Sequence, residues 1–331
     1  MLVLGIESTC DETACAVVKD GRTIMSNVVA SQIDLHAEYG GVVPELACRR
    51  HVDLIIPVLD QALKEASVSL SQIDLIAVAH GPGLIGALLI GLNTAKALSL
   101  ARSIPFIGIN HIEAHLYAAI MSRSEQVIFP CLGVVLSGGH TTLVLIKALG
   151  DYVMIGQTVD DAIGEGFDKV AKMLGLPYPG GPQIEKLALE GHPHKYPFKA
   201  GTVRGQPFNF SFSGLKTAVL YALQKIDNID EQIKRDIAAS FQYAAVKNVI
   251  SKTLAAAEKY QVNSIVFGGG VTNNQYLRSQ FYEATDLDLI WPAAALTLDN
   301  AAMIAGLGYQ KFIQKGSGDP LTLDPLTRMP L

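Results

Sequence analysis

The chain has 331 residues, 26 Lys and Arg against 31 Asp and Glu (formal net charge −5), and 49% hydrophobic residues. That length calls for two domains rather than one. Its most apolar stretch, 83–92 (GLIGALLIGL), is cut off by Asn93 and Lys96, well short of the roughly 18 apolar residues of a membrane span.

The N-terminus begins as a strand and shows no basic segment before an apolar run, so a secretory signal is not expected. Cys10, Cys15, Cys48 and Cys131 form no CxxC pair and no zinc quartet; they read as reduced thiols of a cytoplasmic protein. A pI near 5.9, taken alone, argues against a nucleic-acid partner, because phosphate affinity is drawn from Lys and Arg. The local basic clusters, Arg49–Arg50 and Lys195, Lys199, Arg204, read as solvated surface charge.

In chain order, apolar β-rich runs at 2–7, 13–18 and 23–29 predict three strands, with Asp20-Gly21 as a hairpin turn between the last two. A helix follows over 45–66, then a strand (73–79), a long helix (84–101), a strand (104–109) and a helix from 111 to 121. This βαβα order predicts a largely parallel sheet covered by helices. The pattern restarts with strands at 131–137, 141–148 and 152–156, then helices at 161–174, 214–225 and 231–260. A strand at 264–267 leads into three glycines and a helix, and after 287–291 a helix at 300–312 closes the chain. Two halves, each opening with a β-meander, predict a duplicated α/β fold around a central cleft. The first domain is placed at 1–125, closed by the C-terminal helix 299–314, the second at 126–298, and a loose tail at 315–331.

Gly81-Pro82-Gly83-Leu84-Ile85-Gly86 is a literal GxGxxG between a strand and a helix. A dinucleotide site would carry an acidic residue at the end of the next strand, which instead ends at Asn110, and Pro82 removes an amide from the turn. Ala87-Leu88 stand where a Walker loop needs Lys and Ser/Thr, so the stretch reads as a tight strand-to-helix turn. His111-Ile112-Glu113-Ala114-His115 puts two imidazoles at i and i+4 on one helix face, at the end of a parallel strand. Ile112 fills the place of the catalytic Glu of HExxH, so the pair reads as a metal site and not a protease; pattern alone does not choose the third ligand. Leu136-Ser137-Gly138-Gly139-His140-Thr141 is a glycine turn able to cradle an anion. Gly268-Gly269-Gly270 suggests close approach of a flat ligand to the backbone. Pro179-Gly180-Gly181-Pro182 reads as a rigid loop. No GxSxG elbow supports a serine hydrolase. A nucleotide on glycine turns and one metal on the histidine pair is the physical reading.

Together these stretches resemble one family, the tRNA N6-adenosine threonylcarbamoyltransferases, the bacterial TsaD proteins once labelled glycoproteases. The matching segments are GIESTCDET (5–13), YGGVVPELA (39–47), GPGLIGALLIG (81–91), HIEAH (111–115), LSGGHT (136–141), DDAIGEGFDKVAKMLGLPYPGGP (160–182), FSFSGLKTAV (210–219), GGGVTNN (268–274) and DNAAMIAG (299–306), in order along almost the whole chain.

The resemblance implies the sugar-kinase, actin and heat-shock ATPase architecture. It implies His111, His115 and Asp299 as ligands of one divalent metal, Fe(2+) ahead of Zn. It places the substrate threonylcarbamoyl-AMP on Val135, Leu136, Ser137, Gly138 and Gly139, with Asp168, Gly181, Glu185 and Asn274 around it; at 185 the family more often has Asp. The implied reaction moves the threonylcarbamoyl group to the exocyclic N6 amine of the adenosine 3′ of the anticodon in tRNAs reading ANN codons, releasing AMP. Asp11 and Glu12, on the first turn, are candidates for orienting that amine or taking its proton. A TsaB-like paralogue and a TsaE-like ATPase are the implied protein partners. The rival readings are a metallopeptidase, a non-catalytic nucleotide-binding regulator and a small-molecule kinase on the same fold.

Overall fold

The computed structural model describes residues 1–331. The chain divides into two compact units, one made of 1–126 with 292–331 and the other of 127–291.

In the first unit, β1 (Leu2–Glu7), β2 (Glu12–Lys19) and β3 (Thr23–Ser31) form an antiparallel meander, and β4 (Leu75–Gly81) and β5 (Phe106–Asn110) add parallel to β1. The strand order is β3-β2-β1-β4-β5. The second unit repeats this topology with β6 (Cys131–Leu136), β7 (Thr141–Ala148), β8 (Asp151–Gln157), β9 (Ser264–Gly268) and β10 (Asp288–Ile290), in the order β10-β9-β6-β7-β8. Every residue of β4, β6 and β9 is buried, as befits central strands covered on both faces.

Each unit has its own core. In the first, Leu4, Ile6, Ile76, Val78 and Phe106 pack with Ile55, Leu59 and Leu63 of α2 (Pro44–Glu65) and with Leu92 and Ala95 of α3 (Ile85–Arg102). In the second, Phe167 of α5 (Ile163–Met173) meets Phe241 of α8 (Glu231–Tyr260) edge-on at 5.0 Å, and Phe267 stacks on Trp291 at 3.7 Å. Each such buried aromatic contributes roughly 2–3 kcal/mol through area removed from water. The 30-residue α8 opens on Asp230, whose carboxylate accepts from the Ile233 amide at 2.8 Å, an N-cap. The remaining helix of the first unit's rear face, α10 (Ala301–Lys315), packs on β1 and β4. A side chain at Gly5 would collide with the Ala301 carbonyl and with Ala305, so this close approach requires glycine.

Three features depart from the sequence expectations. The Pro-Gly-Gly-Pro stretch is not a loop: α6 (Gly180–Ala188) starts inside it, and Gly180 lets it press against Asp168 and Ala171 of α5. A short helix α1 (Ile33–Ala37) follows β3; five residues are too few for a periodic apolar signal. The segment after Lys315, expected as a loose tail, is tied along the end of the first sheet. Asp319 N–H donates to Phe106 O (2.7 Å), the Asp319 carboxylate accepts from Gly108 N–H (2.8 Å), and Leu326 N–H donates to His80 O (2.7 Å). Asn110 Nδ2 donates to Pro330 O at 3.2 Å, and Leu323 packs on the core. Its Gly/Pro composition hid these long-range backbone partners. No helix is long and apolar enough to cross a membrane.

Candidate metal centre and glycine turns

The histidine pair is positioned by the junction of β5 with α4 (His111–Ser122). Asn110 ends the strand and caps the helix, its Oδ1 accepting from Ile112 N–H (2.9 Å) and Glu113 N–H (3.2 Å). That cap fixes the first turn, so His111 and His115 share one buried face, ring centroids 4.6 Å apart. Asp299 immediately precedes Asn300, the N-cap of α10. Its Oδ1 lies 3.5 Å from His111 Nε2 and 3.0 Å from His115 Nε2.

The three donor atoms lie within 4.8 Å of one another and could hold a metal ion. Ligands about 2.1 Å from a shared cation at right-angle to tetrahedral spacing would sit roughly 3.0–3.4 Å apart, close to the two imidazole–carboxylate separations. His115 is fully buried; its Nε2 faces Asp299 Oδ1 at 3.0 Å, and its Nδ1 has no hydrogen-bond partner. Behind the site, Glu7 Oε2 is 2.9 Å from His111 Nδ1, and Glu7 Oε1 accepts from Thr9 N–H at 2.6 Å. This carboxylate–histidine support orients Nε2 toward Asp299.

The electrostatics agree. Burial disfavours the charged form of His111, but the carboxylates of Asp299 and Glu7 outweigh it and hold the imidazole well above its ordinary pKa. Burial likewise pushes Asp299 up, but His111 and His115 hold it well below the carboxylate range. Positive charge is therefore favoured at this point, and a divalent cation would displace that proton.

Asp11 and Glu12 belong to the same unit. Burial, then Asp299, then Asp11 push Glu12 up to about 10, while Ser31 Oγ donates to it at 3.3 Å. Burial and Asp11 also push Cys10 well up. The loop carrying these residues is anchored by His51, buried between Thr13 Oγ1 (2.7 Å) and the Cys10 carbonyl (2.9 Å). Glu113, the acid within the histidine stretch, faces Lys311 in a buried ion pair and is no hydrolytic base. The glycines of the GxGxxG turn serve packing: Gly81 lies against the Leu326 carbonyl and Gly83 against Thr9.

In the second unit, Val135 and Leu136 are buried in β6 and lead into the turn of Ser137, Gly138 and Gly139. Ser137 closes it, donating N–H to His140 O (2.8 Å) and accepting from His140 N–H on Oγ (3.0 Å). Gly138 and Gly139 are exposed, with open space where a Cβ would stand. Gly164 of α5 crosses against Ser137 and Gly138. Gly269, at φ +91°, lies against Leu136, so both glycine turns meet at the ends of β6 and β9.

Asp168 Oδ1 accepts from Gly180 N–H at 2.7 Å, beside Gly181, which also has open space. Glu185 Oε1 accepts from Gln275 N–H (2.6 Å), and Asn274 Oδ1 from Leu277 N–H (2.7 Å), both at the start of α9 (Gln275–Ala284). Asn274 Nδ2 donates to Gln242 Oε1 at 2.9 Å.

Two supports escaped the sequence reading. Glu7 lies far from His111 in sequence and has no spacing signal. Asp160 accepts from Ser211 Oγ (2.6 Å), Phe212 N–H (2.8 Å), Ser213 N–H (3.3 Å) and Ser213 Oγ (2.7 Å), gathering the Phe-Ser-Phe-Ser-Gly stretch onto the start of α5. Only the density of hydroxyls in that stretch pointed to it.

Two sheets of one topology with paired glycine turns define an α/β protein of the sugar-kinase, heat-shock ATPase and actin class. Solved structures agree on the fold: HypF of T. kodakarensis superposes with TM-score 0.64 at 14% identity, covering 95% of this chain and 48% of that one. Component A of the Acidaminococcus fermentans (R)-2-hydroxyglutaryl-CoA dehydratase gives 0.54 at 16%, covering 94% and 98%.

The profile of TsaD, tRNA N6-adenosine threonylcarbamoyltransferase, matches residues 23–306, and the chain belongs to that family. The enzyme of that name from Protochlamydia amoebophila (strain UWE25) is 68% identical over 338 residues, covering 100% of this chain and 98% of its own. That of Geobacter metallireducens is 50% identical over 335 residues, covering 100% and 97%. The activity is the formation of threonylcarbamoyladenosine in tRNA.

Proposed function

We propose that the chain moves the threonylcarbamoyl group from threonylcarbamoyl-AMP to the N6 amine of the adenosine 3′ of the anticodon in tRNAs reading ANN codons, with His111, His115 and Asp299 holding one divalent metal. The supporting observation is the convergence of both imidazole Nε2 atoms on Asp299 Oδ1, with Glu7 behind His111. Two imidazoles and one carboxylate suit Fe(2+) first and Zn second. Bound there, the metal would supply Lewis-acid polarisation of a carbonyl or phosphate oxygen.

The residues of the chain divide the remaining work. The exposed amides of Gly138 and Gly139 suit the phosphate of the adenylate, where negative charge grows as AMP leaves. Val135, Leu136, Asp168, Gly181, Glu185 and Asn274 belong to the same unit, and bind its base and ribose in this reading. The amine nitrogen bonds to the carbamoyl carbon, the bond from that carbon to the phosphate oxygen breaks, and one N–H proton must be accepted. In this reading Asp11 orients the amine or takes the proton. Glu12, whose carboxyl is pushed up to about 10 by burial, Asp299 and Asp11, shares that role in this reading.

A TsaB-like paralogue would dock on the apolar side chains left exposed along α2 and α3, Val52, Ile56, Ile85 and Leu89; a TsaE-like ATPase completes the cytoplasmic assembly. The deciding assay combines the chain, its partners, unmodified tRNA, threonine, bicarbonate and ATP, with nucleosides read by mass spectrometry. Threonylcarbamoyladenosine is expected with the native chain and absent with His111→Ala; product undiminished in the variant rejects the metal assignment.

A further inference from the structure

We propose that a groove on the second unit, floored by Tyr196, Phe198 and Tyr221 and edged by Lys225, binds an unpaired stretch of the tRNA substrate, with bases on the aromatic rings and phosphates on the neighbouring lysines. The groove encloses about 480 Å³, and no carboxylate lines it. It lies between the loop after α6 and α7 (Ser213–Leu223) with the turn that follows it.

The charge pattern singles out this region. Residues 191–226 contain no Asp or Glu but carry Lys195, Lys199, Arg204, Lys216 and Lys225, in a chain of net charge −5. Lys216 is committed to Asp161 at 2.7 Å. Lys195, Lys199, Arg204 and Lys225 are exposed and make no ion pair. Lys225 lines the groove, and Lys195 and Lys199 adjoin its lining residues Tyr196 and Phe198 in the chain. The carboxylates whose charge is felt at Tyr196 are Asp236 and Asp230. Both are occupied by donors: Asp236 by His192 N–H and Gln232 Nε2, Asp230 by Ile233 N–H.

The aromatic floor supplies the second half of the chemistry. Tyr196 and Phe198 are stacked, centroids 5.5 Å apart and planes within 10°, and Tyr221 is 58% exposed. Flat rings beside unpaired cations are the arrangement that single-stranded nucleic acid uses, stacking its bases while phosphates meet Lys and Arg. A chain acidic overall must draw its phosphate contacts from such a local patch. An apolar peptide would use the aromatic rings but leave Lys195, Lys199 and Lys225 without a role.

The test uses the full-length chain and unmodified tRNA transcript, by equilibrium binding over a salt series and by steady-state transfer in the reconstituted reaction. Tyr221→Ala should weaken tRNA binding about 5- to 20-fold, near the lower end of a lost stacking contact, and raise KM for tRNA while kcat stays unchanged. Tyr221→Phe should retain affinity, because the ring face is kept. Lys195→Ala combined with Lys199→Ala should lower the slope of log affinity against log salt by about 2. Melting temperatures of all variants should match the native chain, since these side chains are exposed. Native affinity, salt slope and KM in Tyr221→Ala and in the double lysine variant overturn the proposal. So does loss of protein-partner binding with tRNA affinity intact, which would make the groove a protein site.

Discussion

Glu7 Oε2 lies 2.9 Å from His111 Nδ1, and the opposite nitrogen of the same ring points at Asp299. The last residue of β1 thereby sets which face of an imidazole on α4 is offered to a ligand. Glu7→Gln keeps the size but weakens the acceptor, and metal affinity is expected to fall about 10- to 100-fold. Metal titration of the purified variant measures this; native affinity would show that Glu7 is only filler.

Asp299→Asn removes one ligand charge while leaving the Asn300 cap in place. Bound metal and transfer activity are both expected to fall by at least about 100-fold, in line with loss of a direct ligand rather than an outer-shell partner. Melting temperature should change little. Elemental analysis beside the transfer assay is decisive, and full metal content in the variant would move the third ligand elsewhere.

Asn274 serves two structural ends at once, capping α9 and donating to Gln242. Asn274→Ala should cost roughly 1–2 kcal/mol for the lost cap, read as a lower denaturation midpoint. Asn274→Asp keeps the cap acceptor but loses the donation to Gln242, so its denaturation midpoint should also fall, and a rise in KM for the adenylate beyond that of Asn274→Ala would show that the side chain touches the substrate.

His80 sits where the C-terminal segment is tied down, its carbonyl accepting from Leu326 N–H. Burial lowers its pKa below the ordinary value of 6.5, so the folded chain resists a proton that the unfolded chain accepts. Its stabilising contribution is complete above about 6.5 and is lost progressively as pH falls from there through the lowered folded value. Amide protection factors at 319–326, which take out the intrinsic pH dependence of exchange, should therefore fall between neutral and mildly acidic pH, and His80→Gln should flatten that dependence. An unchanged profile in the variant would assign the effect to another group.

Lys311 and Glu113 form the buried ion pair between α10 and α4. Lys311→Met should destabilise by roughly 2–3 kcal/mol, between exposed and fully buried pairs, because it strands a charge at Glu113. Adding Glu113→Gln should recover part of that loss, as a double-mutant cycle would record.

Much of this protein is legible in its sequence alone. The two meanders, the 30-residue α8 and the start of α4 at His111 follow from apolar periodicity and turn residues, which act over a few residues and need no partner. The same locality made His111 and His115 visible as a pair, since i and i+4 face one way on any helix. Asp299 entered only by resemblance, because nothing local joins it to a helix begun nearly two hundred positions earlier.

Tertiary structure decided the rest. It brought Glu7 behind His111, and turned Glu113 away to Lys311. It started α6 inside Pro-Gly-Gly-Pro, where Gly180 meets α5, and tied the Gly/Pro-rich end to β4 and β5. It also set Tyr196 and Phe198 beside Tyr221 and Lys225. These are contacts between residues distant in the chain, and their free energy comes from burial and desolvation that exist only once the sheets have formed.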